Sequence, residues 1–100
     1  MTDKIYTIEE LKKALCPIFE AHNVKKALVF GSYGKGCAVK ESDVDIFVDS
    51  SLHGLAFIEL VEEVREVLNK DVDVVDARHV DKGTAIESEI RKYGEIIYEK

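Results

Sequence analysis

The segment from Val29 to Val48 constrains the fold more than any other part of the chain. An apolar run ending in Val29-Phe30 breaks at Gly31-Ser32, and after ten further residues Asp43-Val44-Asp45 opens a second apolar run, Ile46-Phe47-Val48. A short apolar run that stops at glycine reads as a buried strand entering a turn. A strand sends residues i and i+2 to the same face. Asp43 and Asp45 therefore share one face, while Val44, Ile46 and Val48 supply the core side. Gly31, Gly34 and Gly36 permit tight turns and a close approach of the backbone to a ligand.

The flanking sequence supplies the remaining elements. Thr7-Ile8-Glu9-Glu10 is a capping-box pattern, and Ile8, Leu11, Leu15 and Phe19 recur at helical spacing. They predict a helix from Thr7 to His22, stopped at Asn23, with Pro17 as a point of kinking or division. Lys26 to Phe30 reads as a strand, residues 31–42 as a loop, and Val44 to Asp49 as a second strand. Gly54 to Asn69 reads as a helix with Ile58, Val61, Val64 and Leu68 as its buried stripe and Glu62, Glu63, Arg65 and Glu66 as its wet face. Asp71 to Asp76 alternates as a third strand. A third helix runs from Asp81 or Thr84 to Tyr93, with Ile86, Ile90 and Tyr93 on one face and Gly94 as its stop. Glu95 to Tyr98 closes the chain as a strand. The order α-β-β-α-β-α-β predicts an α+β fold, a mixed sheet of about four strands packed with about three helices, in a single domain over residues 1–100.

Composition removes several function classes. The net charge is −6 and the basic residues are dispersed, which argues against nucleic acid as a direct partner. No apolar stretch approaches the roughly 20 residues that span a bilayer, and the N-terminus opens without an apolar signal core. A cytoplasmic protein without membrane contact is expected. Cys16 and Cys37 form no Cys-x-x-Cys or Cys/His cluster, so they read as free thiols rather than zinc ligands, Cys16 as a small core residue. His22, His53 and His79 show no paired spacing and read as surface or helix-end residues.

The glycine loop, with its hydroxyl and lysine, suits phosphate, and the paired aspartates suit a divalent metal. Together they point to a nucleoside triphosphate handled with Mg²⁺. Ser32 can donate to a phosphate oxygen through its hydroxyl and its N–H, Gly31 lets the main chain come close, and Lys35 can add charge to the β- or γ-phosphate. A third carboxylate has three candidates, Asp71, Asp73 and Asp76. Asp73 is central and reaches the same centre if its strand pairs beside the second. Asp71 and Asp76 read as solvated strand ends. Tyr33 either covers a nucleotide or is a plain loop aromatic, and Tyr6, Tyr93 and Tyr98 read as packing residues.

The Gly31-Ser32 turn, its spacing to Asp43-Val44-Asp45, and the strand Asp71-Val72-Asp73-Val74-Val75 resemble the polymerase β-type nucleotidyltransferase superfamily. The size is similar to its minimal nucleotidyltransferase branch, whose members serve as antitoxins. The resemblance implies a polymerase β-like core, Ser32 as triphosphate ligand, Asp43 and Asp45 as ligands of two Mg²⁺ ions, and Asp73 as third carboxylate. It also implies ATP as donor and a HEPN-type ribonuclease toxin as partner, modified by transfer of AMP to a tyrosine. Lys35 stands where many members carry arginine, and Gly34 and Cys37 stand where alanine and glutamate are expected. The competing function is a binding module that neutralises its partner by contact and keeps a vestigial nucleotide site. Transfer to RNA or a small molecule is a third reading, and it lacks the extra acceptor domain such enzymes carry. The short closing strand also offers an edge for pairing between copies, hence a homo-oligomer.

Overall fold

The structure, a computed structural model, describes residues 4–100. Helix α1 spans Ile8–Ala21 and starts as its sequence predicts. The Thr7 hydroxyl accepts the Glu10 N–H at 3.1 Å, and the Glu10 carboxylate accepts the Thr7 N–H at 2.9 Å. Leu11, Leu15 and Phe19 are fully buried, and the Phe19 ring meets Tyr98 at 5.7 Å between centroids. The helix runs undivided through Pro17. Thr7→Ala should cost about 1 kcal/mol, seen as a fall of roughly 4–8 °C in Tm by circular dichroism. An unchanged Tm would show that the cap contributes nothing.

Strands β1 (Lys26–Phe30), β2 (Val44–Asp49), β3 (Val72–Asp76) and β4 (Glu95–Glu99) form one sheet in the order β3-β2-β1-β4. β1 pairs antiparallel with both β2 and β4, while β2 and β3 run parallel. A parallel pair needs a crossover connection, and α3 (Leu55–Leu68) provides it. Ala27, Val29, Val44, Ile46, Val48 and Val72 join the α1 residues and Leu60, Val64 and Leu68 of α3 in one core. Burying one sheet face this way sends Asp45, Phe47 and Asp49 to the other face.

Several expectations are corrected. The segment read as a loop over residues 31–42 begins with a short helix, α2 (Gly31–Lys35), so the sheet carries four helices rather than about three. Three glycines disguise that turn of helix, but two of them bound it: Gly31 has φ +65 and Gly36 has φ +76. The buried stripe of α3 is Leu60, Val64 and Leu68, while Ile58 is 53% exposed. Both rows are apolar in sequence, and only the tilt of the helix on the sheet selects between them. Helix α4 (Ala85–Tyr93) buries none of its residues, and Ile86 and Tyr93 remain exposed.

Asp76 is not a solvated strand end. It is buried, and it holds the Arg78 guanidinium at 2.8 Å in the 3₁₀ turn Ala77–His79. Hydrogen bonds from Arg78 keep the Asp76 carboxyl below its ordinary range. His22 is held by Glu63. Cys16 is half-buried, with its thiol 3.6 Å from the Ile97 carbonyl oxygen, and Cys37 is exposed. Among the described residues no helix is long and apolar enough to cross a membrane.

Candidate active site

Strand pairing assembles the site. In the β1–β2 register Phe30 lies opposite Asp45, so the chain leaving β1 turns at Gly31 directly beside that aspartate. In the β2–β3 register Asp45 lies opposite Asp73, which puts both carboxylates side by side on the sheet face away from α1 and α3. Asp43 precedes Asp45 by two residues, at the entry to β2. The approach at Gly31 is close enough that a Cβ there would run into the Asp45 carboxylate.

Asp43 and Asp73 are exposed and Asp45 is half-buried. The Asp45 carboxyl is raised from 3.8 to about 6, first by burial and then by the charges of Asp73, Asp43 and Glu89. Every one of these influences opposes ionisation. Among the described residues no three acidic, histidine or cysteine side chains are gathered tightly enough to ligate one ion. The aspartates carry like charges, and each disfavours ionisation of its neighbours. Their hard oxygens and open, solvated side suit Mg²⁺.

Gly31 and Ser32 form the start of α2, where backbone N–H groups have no acceptor within the helix. Lys35 lies in the last turn of α2 and is turned toward α4. Its Nζ is 3.2 Å from Glu89 Oε1 and 5.1 Å from the centre of the Tyr93 ring. Tyr33 is neither a nucleotide cover nor a loop aromatic: it packs into the core at 4% exposure, and its hydroxyl has no hydrogen-bond partner. Asp71 stays exposed in the turn before β3, where its carbonyl accepts the Val44 N–H at 3.1 Å. It contributes backbone to the aspartate strand.

Three supporting residues escaped the sequence reading. Glu89 and Tyr93 lie one turn apart on α4, and their spacing could have marked a shared face but not its target. Tyr93 is thus an exposed partner of Lys35 rather than a packing residue. Lys70 is buried, and its Nζ donates to the Lys40 carbonyl at 3.0 Å, tying down the loop that delivers Asp43. Gly34 has its own reason: a Cβ there would meet the Tyr93 carbonyl oxygen at 2.5 Å and that of Val29 at 3.2 Å. Alanine is excluded because the end of α4 closes onto α2.

Comparison with known proteins gives the same picture. The family described as polymerase beta, nucleotidyltransferase matches residues 13–100. A Methanocaldococcus jannaschii protein named as a protein adenylyltransferase is 41% identical, over 68% of this chain and 75% of its own. The protein adenylyltransferase MntA of Thermococcus cleftensis is 39% identical, over 79% of this chain and 86% of its own. Among solved structures, a toxin–antitoxin complex with AMP-PNP contains a chain that superposes with a TM-score of 0.75 at 25% identity, covering 89% of this chain and 73% of that one. A complex of tri-AMPylated Shewanella oneidensis HEPN toxin with MNT antitoxin superposes at 0.70 and 21% identity, over 94% and 74% of the two chains. The matched stretch contains every candidate site residue, and with sequence and fold in agreement along it, this chain belongs to the polymerase β nucleotidyltransferase family.

Proposed function

We propose that this chain transfers AMP from ATP to a hydroxyl of a partner protein, and acts in this way as the antitoxin of a HEPN-type ribonuclease toxin. One observation carries the chemistry: β2 sets Asp45 beside Asp73 in its pairing with β3 and against the Gly31 turn in its pairing with β1. The glycine turn suited to phosphate then stands beside the Asp45–Asp73 pair. The names of the relatives support the transferred group and the protein acceptor. The complexes of similar fold support the ATP-like donor and the toxin partner.

In this reading the Ser32 hydroxyl and N–H donate to a phosphate oxygen, and the Lys35 ammonium lies toward the β- and γ-phosphates. Asp43, Asp45 and Asp73 would hold two Mg²⁺ ions, which supply charge neutralisation at the triphosphate and a lowered pKa at the acceptor hydroxyl. Asp73, exposed and next to Asp45, takes the proton of that hydroxyl. The acceptor oxygen forms a bond to the α-phosphorus, the bond from that phosphorus to the bridging oxygen breaks, and pyrophosphate leaves. The donor requires an ATP-containing compartment, the cytoplasm.

The test uses the position of a label. Incubation with Mg²⁺, the HEPN-type toxin partner and ATP labelled at the α-phosphate should label the partner. ATP labelled at the γ-phosphate should not, because that phosphate departs in pyrophosphate. Label arriving from the γ position would indicate phosphoryl transfer and overturn the proposal, as would no transfer from either.

A further inference from the structure

We propose that Glu89 of α4 is a positioning residue for the triphosphate, acting through Lys35. The inference rests on the site reading above. It extends that site to a helix that contributes none of the aspartates or the glycine turn.

The argument begins with the lysine. A lysine ammonium is a compact charge on a four-carbon stem, and it lacks the planar fork that lets arginine orient itself on phosphate. At position 35, direction must therefore come from outside. Two residues one turn apart on α4 provide it. Glu89 Oε1 stands 3.2 Å from the ammonium, and the Tyr93 ring lies 5.1 Å beneath it. A third contact fixes the frame. Gly34, next to Lys35, lies so close to the Tyr93 carbonyl that no side chain fits between them. Helices α2 and α4 are thus held together by backbone packing at Gly34, and the ion pair acts across a set distance.

The ammonium has three donors, and Glu89 occupies one of them. Two remain for phosphate oxygens. Glu89 therefore aims Lys35 without consuming it. No residue of α4 is fully buried, and Glu87 to Ile90 are half-buried. The Lys35 contacts and the packing at Gly34 both join this helix to α2.

The test compares ATP with AMP, which lacks the phosphates Lys35 would meet. Dissociation constants are measured with Mg²⁺ for wild type, Glu89→Gln, Lys35→Met and the double variant, with Tm as a check on folding. Glu89→Gln should weaken ATP binding roughly threefold to fivefold, the range of a partly exposed ion pair. AMP affinity should stay as in wild type. In the Lys35→Met background Glu89→Gln should add nothing further. Equal weakening of ATP and AMP would assign Glu89 a purely structural role and overturn the proposal. So would an unchanged ATP affinity in Glu89→Gln when Lys35→Met weakens it. If wild type binds no ATP, or Lys35→Met binds it normally, the site reading itself fails and this inference falls with it.

Discussion

Asp45→Asn should lower transfer about a thousandfold, the scale of losing metal-borne charge stabilisation, yet make the metal-free fold more stable. The two effects have one origin. The Asp45 carboxyl sits at about 6 rather than 3.8 because burial, Asp73, Asp43 and Glu89 all disfavour its charge. A group whose proton is held more tightly in the fold than in the unfolded chain stabilises the fold only while protonated. That contribution is complete below about 3.8 and is lost as the pH rises through about 6. At pH 7.5 the ionised carboxylate is therefore a cost. The full shift corresponds to about 3 kcal/mol. Asp45 is only half-buried, so screening reduces this to about 1–2 kcal/mol. Metal-free Asp45→Asn should melt roughly 5–15 °C above wild type at pH 7.5, and the gap should close at pH 4. Added Mg²⁺ should raise the wild-type Tm at pH 7.5 and barely move that of the variant. A variant that keeps a tenth of its activity, or melts below wild type at pH 7.5, would refute this account.

The same aspartates separate catalysis from contact. Asp43→Ala/Asp45→Ala should still bind the partner but fail to neutralise it in cells at equal expression. Neutralisation that survives the double substitution would assign it to contact alone, with the nucleotide site vestigial.

The local geometry of the candidate site was legible because each part of it spans only a few residues. Gly31-Ser32 and Asp43-Val44-Asp45 each form a geometric unit within a few residues, and strand alternation fixes the direction of the aspartates. Asp73 was legible only on condition that β3 pairs beside β2, a condition the parallel register meets. Nonlocal properties stayed hidden. Asp76 and Asp71 have the same residue type and both flank the strand, but Arg78 allows Asp76 to be buried while Asp71 remains in water. The choice of Leu60 over Ile58 depends on how α3 lies on the sheet. Lys35 was legible as a phosphate-directed charge, but its partners were not, because they lie on a helix more than fifty positions downstream. The short helix α2 was concealed by the glycines that bound it.

Gly31 ties the fold to the chemistry, and Gly31→Ala should damage both. At φ +65 an alanine pays the left-handed penalty, about 1–2 kcal/mol. Its Cβ would also be driven into the Asp45 carboxylate. The carboxylate is the softer of the two, at the end of a side chain, so it swings aside while the β1–β2 pairing holds. Displacing a reacting group by about 1 Å costs on the order of a hundredfold in rate, and transfer by Gly31→Ala should fall by at least that. Gly83 provides the control. It has φ +83, but nothing lies within 4 Å of where its Cβ would be. Gly83→Ala should lose similar stability and keep most of its transfer activity. Measured side by side at a temperature where both are folded, the two alanines distinguish backbone strain from intrusion on Asp45. Equal activity in the two would mean that the close approach at Gly31 has no part in the chemistry.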